Sequence, residues 1–265
     1  MKQTEGTLTL LGTGSSMGIP VVGCECSVCL SNNPKNTRNR CSALIQYAGK
    51  AILIDCGPDF HQQGLKYKLK SLDGVIFTHA HFDHIAGLDE LRLFNFRNQK
   101  PLSALASETT LKDLKSRFAY IFQERKKEGN FTVQFDFTTL EEERGEGTFL
   151  GLDFRYFSYK QGTTNVSGFR FGDVAYVSDI KSYPESIFED LKGLKTLVVS
   201  ALRERGSHVH LTLEEAVSFS KKVGAQKTFF IHMDHEIEHE TVNAKLPLGV
   251  ELGYDDLSFS FSCPS

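Results

Sequence analysis

With 265 residues, 40% hydrophobic and 24% charged, the chain has material for a sizeable core and the balance of an ordinary globular protein. A net charge of -3 excludes a large basic surface for nonspecific duplex binding, and no apolar run reaches the length of a membrane span. Three of the six cysteines, Cys24, Cys26 and Cys29, are too crowded to frame a disulfide-stapled chain of this size. Cys41, Cys56 and Cys263 read as reduced thiols, and Met1 to Gly6 carries no apolar signal segment, so a cytoplasmic location is expected. No Pro- or Ser-rich linker interrupts the sequence, which predicts a single domain over 1–265.

Thr7 to Leu11 reads as a first strand, stopped by the turn Gly12-Thr13-Gly14-Ser15-Ser16, which fits neither a P-loop nor a dinucleotide fingerprint. After the cysteines and a polar loop from Asn32 to Arg40, the runs Ser42 to Tyr47 and Ala51 to Asp55 form a hairpin at Gly49. Asp55-Cys56-Gly57-Pro58-Asp59 breaks the second strand, a short helix spans Phe60 to Lys68, and Gly74 to Phe77 is a buried strand. Leu102 to Ala106 follows as a strand, Thr109 to Phe122 as one amphipathic helix and Phe131 to Phe137 as a half-buried strand. The charge run Glu141 to Glu146 reads as a solvated turn.

Beyond it Leu152 to Phe157, Gly168 to Phe171 and Val174 to Ser178 are strands, and Pro184 to Leu191 is a helix with proline near its start. Thr196 to Ser200 and Lys227 to Ile231 are strands flanking a helix, Thr212 to Val223, whose Thr212 and Glu215 have capping-box spacing. Glu238 to Leu246 is a last helix, before strands at Val250 to Leu252 and Leu257 to Phe261. Strand-rich stretches with helices, repeated in two halves, predict a mixed α/β (α+β) protein of two sheets packed face to face with helices outside.

Three imidazoles and a carboxylate crowd into Thr78-His79-Ala80-His81-Phe82-Asp83-His84, immediately after the Gly74 to Phe77 strand. Four nitrogen and oxygen ligands at such spacing form a metal site, because a chain turning past a strand end can aim them at one point. Asp179 and His232 each follow a strand in the same way, and loops at one end of layered sheets can bring the three places together. Asp55 and Asp59 read as carboxylates that orient a ligand imidazole through its other nitrogen. His61, His208, His239 and Lys66, Lys68 and Lys70 read as surface groups.

The Thr-His-x-His-x-Asp-His motif, taken with Gly12 to Ser16, Asp55-x-Gly57-Pro58-Asp59, Ser178-Asp179 and the late His232, resembles the metallo-β-lactamase-fold hydrolases along the whole chain. Within them the Cys24-Glu25-Cys26-Ser27-Val28-Cys29 cluster and the pair His232 and His235 are most similar to the phosphoribosyl cyclic phosphate phosphodiesterase branch. The resemblance implies a four-layer αββα sandwich and one or two divalent metals, Zn or Mn. One metal would be held by His79, His81 and a later histidine, the other by Asp83, His84 and His232, with Asp179 bridging. It also implies catalytic roles for Asp83 and for His210, the latter as general acid or phosphate binder, and a structural Zn held by Cys24, Cys26, Cys29 and His235. Where the family has its later histidine, this chain has Lys160-Gln161-Gly162, so Gln161 is a substituted ligand position. An amide oxygen binds a transition metal more weakly than imidazole, which predicts an asymmetric centre.

The expected substrate is therefore a small cyclic or diester phosphate, with no membrane and no nucleic-acid partner, and a homodimer is expected because such relatives are often dimers. An RNA 3′-processing nuclease is the alternative, counted against by the acidic charge. A member of the fold that binds without turning over, through the change at Gln161, is the other.

Overall fold

The computed structural model describes residues 4–123 and 131–263. The first sheet contains β1 (Thr4–Gly12), β2 (Ser42–Tyr47), β3 (Lys50–Ile54), β4 (Gly74–Ile76), β5 (Leu102–Ser107) and β6 (Phe135–Leu140) side by side. The second contains β7 (Arg144–Phe149), β8 (Leu152–Gln161), β9 (Thr164–Phe171), β10 (Val174–Val177), β11 (Thr196–Ser200), β12 (Lys227–Ile231) and β13 (Val250–Leu252). The last strand, β14 (Ser258–Cys263), returns to the first sheet and lies antiparallel to β1.

Alternation along the strands explains why two sheets stack and helices cover them. In β2 and β3, Ala43, Ile45, Ile52 and Ile54 face the other sheet, where they meet Tyr176, Phe169 and Val198. Leu44 and Leu53 point the opposite way, toward α1 (Phe60–Lys66), α3 (Arg92–Asn98) and α4 (Glu108–Arg117), through Phe60, Phe94 and Leu114. In the second sheet Val198 turns inward, while Leu197 and Val199 turn out to α6 (Ile187–Asp190), α7 (Leu213–Val223) and α8 (His239–Asn243). The order is helices, sheet, sheet, helices, as expected from the sequence. No helix among the described residues is long and apolar enough to cross a membrane.

Several local expectations change. The predicted helix from Thr109 to Phe122 is two helices, α4 and α5 (Ala119–Phe122), because Phe118 leaves helical geometry at φ -115° and ψ 41°. The predicted strand from Phe131 begins only at Phe135, since the amides of Val133 and Gln134 donate to the side chains of Asp89 and Asn95 instead of a neighbouring strand. The charge run is not all turn: from Arg144 it is β7, paired along β8, where Arg144 and Glu146 find Asp190 and Arg155. The helix after Pro184 starts at Ile187, and Glu238 caps α8 through the Thr241 amide. Thr212 and Glu215 do form a capping box. The Gly12 to Ser16 segment is more than a turn, since Gly14 bridges to both Arg40 and Met233 and ties the two halves together.

β3 to β6 run parallel, as do β10 to β13. Parallel strands end at the same edge, so the segments after β3, β4, β10, β11 and β12 all emerge on one rim. The fold depends on the layer between the sheets. Phe169→Ala, truncating a fully buried ring in that layer, is expected to lower unfolding free energy by about 3–5 kcal/mol in urea titrations.

Candidate metal centre

Asp55, Asp179 and His232 are the residues at which β3, β10 and β12 give way to the rim, and each is non-glycine in left-handed backbone, with φ of 58°, 55° and 59°. Such conformations cost about 1–3 kcal/mol each and persist where the surroundings over-determine them, which is the signature of a functional edge. His81 caps α2 (Phe82–Ile85), so Asp83 and His84 project from the first turn of a helix that starts directly after the motif's first two histidines.

The side chains converge in two groups that share Asp179. Ligand atoms of Asp83, His84, Asp179 and His232 all lie within 4.8 Å of one another, and so do those of His79, His81 and Asp179. In the first group, His84 Nε2 is 3.4 Å from Asp83 Oδ2 and 3.4 Å from Asp179 Oδ1. His232 Nε2 is 3.3 Å from Asp83 Oδ2 and 3.3 Å from Asp179 Oδ2. Atoms bound to one ion at about 2.0–2.2 Å in tetrahedral geometry are about 3.3–3.6 Å apart, so this group fits a cation. His84 Nε2 and Asp179 Oδ1 are buried without a hydrogen-bond partner, as ligand atoms awaiting an ion would be. In the second group, His79 Nε2 is 3.8 Å from Asp179 Oδ2 and 3.0 Å from His81 Nδ1.

Electrostatics agrees with a cation site. Burial raises the Asp83 and Asp179 carboxyls, but His84 and His232 outweigh it and hold both well below the usual carboxylate range. Burial lowers His84, yet Asp179, Asp83 and Asp55 together push it well above the ordinary imidazole value. His79 moves the other way, lowered by burial and by His84. Ionised carboxylates beside imidazoles that compete for positive charge make a set that an ion would satisfy.

The supporting partners differ from expectation in one case. Asp55 does meet an imidazole of the cluster: its Oδ2 accepts from His84 Nδ1 at 2.7 Å, and Thr78 donates to it through both amide and hydroxyl. Asp59 does not. Its carboxylate accepts from the Arg40 amide at 2.7 Å and the Arg40 guanidinium at 3.0 Å, so it braces the loop before β2. His239, expected at the surface, is 2% exposed at the start of α8, whereas His61 and His208 are exposed as expected. Lys66 forms an ion pair with Asp256.

Gln161 ends β8 beside Thr164, the first residue of β9. Its Nε2 is 2.8 Å from His210 Nε2, while its Oε1 is buried with no partner. His210 in turn stacks on His232, with ring centroids 4.6 Å apart, and its Nδ1 is 3.8 Å from Asp179 Oδ2. Burial, reinforced by His232, brings His210 down to about 4. Thr164 Oγ1 lies 3.2 Å from His81 Nε2, a contact missing from the sequence reading, although Gly162 was a turn signal that could have extended the hairpin to it.

A second cluster is built from the cysteine loop and the loop after β12. His235 Nδ1 is 3.2, 3.5 and 3.7 Å from the sulfurs of Cys24, Cys26 and Cys29. A tetrahedron with Zn–S of about 2.3 Å and Zn–N of about 2.05 Å has edges near 3.5 Å, so these four residues fit zinc. The Cys29 amide donates to Cys26 Sγ and helps bring that thiol down to about 6, while burial pushes Cys29 up to about 11.

Comparison with known proteins defines the class. The family described as "Beta-lactamase superfamily domain" matches residues 50–233, and the chain belongs to it, with the metallo-β-lactamase fold. A solved structure described as a new diphosphatase from the PhnP family superposes with a TM-score of 0.91 and 37% identity, over 99% of each chain, in accord with the phosphodiesterase branch that the motifs resemble. The octanoyltransferase of Porphyromonas gingivalis is 35% identical over 253 residues, which are 94% of this chain and 50% of that protein. Ribonuclease Z of Clostridium kluyveri is 39% identical over 87 residues, 32% of this chain and 23% of its own. The chain thus spans half or less of the length of these two curated relatives.

Removing the acceptor behind His84 tests the orientation argument. Asp55→Asn is expected to weaken divalent-metal binding roughly 10- to 100-fold, read by competition with a chromogenic chelator while far-UV circular dichroism stays unchanged.

Proposed function

We propose that the protein is a metal-dependent phosphodiesterase that hydrolyses a small cyclic or diester phosphate. The observation that carries the reading is the sharing of Asp179 by two adjacent groups of ligands on one rim. Divalent zinc or manganese held there would supply Lewis-acid polarisation of phosphoryl oxygens and a water nucleophilic near neutral pH. Asp83, held ionised between His84 and His232, would orient the attacking water by accepting its hydrogen. His210, fixed by Gln161 and by stacking on His232 and held uncharged at neutral pH by its lowered pKa, would bind a phosphoryl oxygen through an imidazole N–H.

The two groups are unequal. Asp83, His84, Asp179 and His232 give four ligands, whereas His79, His81 and Asp179 give three, and Gln161 offers only a neutral amide in place of an imidazole. The former would bind its ion tightly and the latter loosely. Cys24, Cys26, Cys29 and His235 would hold a structural zinc that pins the loop after β12. One domain over 1–265 is supported by a core that takes side chains from both sheets. Six free cysteines support a cytoplasmic setting.

A second reading, cleavage of an organic diphosphate, is favoured by the similarity to a protein described as a diphosphatase. Both readings place the reacting phosphorus at the same rim, and relative kcat/KM for a diester and a diphosphate chooses between them.

The metal-loaded protein is expected to cleave bis(p-nitrophenyl) phosphate or an organic diphosphate, to lose that activity on chelation and to regain it with Zn or Mn. No turnover of either substrate with both ligand groups loaded overturns the reading. After dialysis one active-site equivalent should remain and the second should be lost; two retained equivalents refute the asymmetry. Gln161→His is expected to tighten the weaker site, and a large accompanying gain in rate would show that the natural centre is impaired. Cys26→Ser should release about one zinc per chain and lower thermal stability, measured by metal analysis and calorimetry.

A further inference from the structure

Among the described residues Arg38 heads the large side chains buried to below 2% exposure; its guanidinium feels the charges of Asp255, Asp234 and Glu238 without a hydrogen bond to a carboxylate, and its Nε is buried without a partner. Its guanidinium donates instead to backbone and amide oxygens: Nη1 to Asp234 O at 3.2 Å, Nη2 to Ile237 O at 2.8 Å and Nη2 to Asn36 Oδ1 at 3.3 Å. The two carbonyls lie on either side of His235 and Glu236, with Asp234 two residues after His232. The backbone of Arg38 pairs with Ile19 in both directions at 2.8 Å, and Ile19 packs with Val28 and Cys29 in the small core under the cysteine loop. One residue thus bonds the segment that packs on Cys29 and the loop that carries His235.

Asn36 repeats the arrangement on a smaller scale. It donates to Glu238 and Ser31, accepts from the His239 amide, and is 1% exposed. A buried cation directed at carbonyls is costly unless those carbonyls need a donor. Here the loop leaves β12 through His232 in left-handed backbone and turns at His235 and Glu236; the amides of Met233, Asp234, Glu236 and Ile237 find acceptors, and the Ile237 carbonyl takes its donor from Arg38.

We infer that Arg38 is a positioning residue that clamps the Asp234 and Ile237 carbonyls and so presets His235 for zinc and His232 for the active-site ion. The planar fork matters, because an ammonium group can reach one carbonyl but cannot hold both in fixed directions. The inference rests on the proposed zinc site, and the measurements separate the two. If wild-type protein holds no zinc at Cys24, Cys26, Cys29 and His235, the zinc reading fails. If it holds zinc and the Arg38 variants hold it as tightly, the inference fails.

The experiment is zinc affinity, measured by chelator competition on folded Arg38→Met and Arg38→Lys proteins, alongside KM and kcat. A loss of roughly 10-fold or more at both clusters in Arg38→Met, with partial recovery in Arg38→Lys, is expected. Reduced melting temperature with affinities within about twofold of wild type would show a structural role only and overturn it. Should neither variant fold, hydrogen exchange on zinc-stripped wild-type protein decides. The Ile237 amide, which donates to the same Asp234 carbonyl that Arg38 holds, should stay protected, because the clamp holds without metal; loss of its protection overturns the inference.

Discussion

Asp179 is a carboxylate buried to 1% exposure, in left-handed backbone, with both oxygens turned toward imidazoles from two different loops. The geometry of everything around it follows from that placement. β10 must end where β4 and β12 end, so that His84 and His232 reach it from opposite sides, and the parallel strands of two sheets provide that common edge. The carboxylate stays ionised in a dry environment only because cationic character is gathered about it. A centre of this kind is a constraint on the whole sandwich, since a shift of either sheet relative to the other would separate Asp179 from Asp83 and His84.

The layers were legible in the sequence because burial on two faces writes two periodicities at once. In β3 alone, Ile52 and Ile54 serve the inter-sheet layer and Leu53 the helical one, and both signals survive in a short run. The histidine and aspartate cluster was legible for a related reason, since His79, His81, Asp83 and His84 are local in sequence, and the structure gathers them beside Asp179. What stayed hidden depends on long-range company. Asp59 sits two residues after Gly57 in a metal-family motif, yet it serves Arg40, and nothing local distinguishes an arginine partner from a histidine partner. The β7 edge strand looked like a solvated turn because its charged residues find distant partners, Glu146 in Arg155 of β8 and Arg144 in Asp190 of α6. Arg38 carried no signal at all: one arginine in a polar loop is ordinary until the loop is covered.

The two halves of the rim are held by different means. In the second half the loop after β12 is tied down by side chains, through Arg38, Asn36 and the Arg203–Asp234 pair. In the first half backbone rests on backbone: a Cβ at Gly57 would lie 2.1 Å from Asp83 O, and one at Gly87 2.3 Å from Gly57 O. The Asp55 carboxylate adds a side-chain tie across the same junction, to His84 Nδ1.

That difference sets where such a protein can change over evolutionary time. The Asp83 and His84 end offers no adjustable spacer, so its spacing is inherited with the fold and passes unchanged to any descendant that keeps the glycines. The His232 end is adjustable residue by residue, through Arg38 and the cysteine loop. Descendants that acquire new chemistry would therefore alter the second half of the rim and keep the first as their fixed reference.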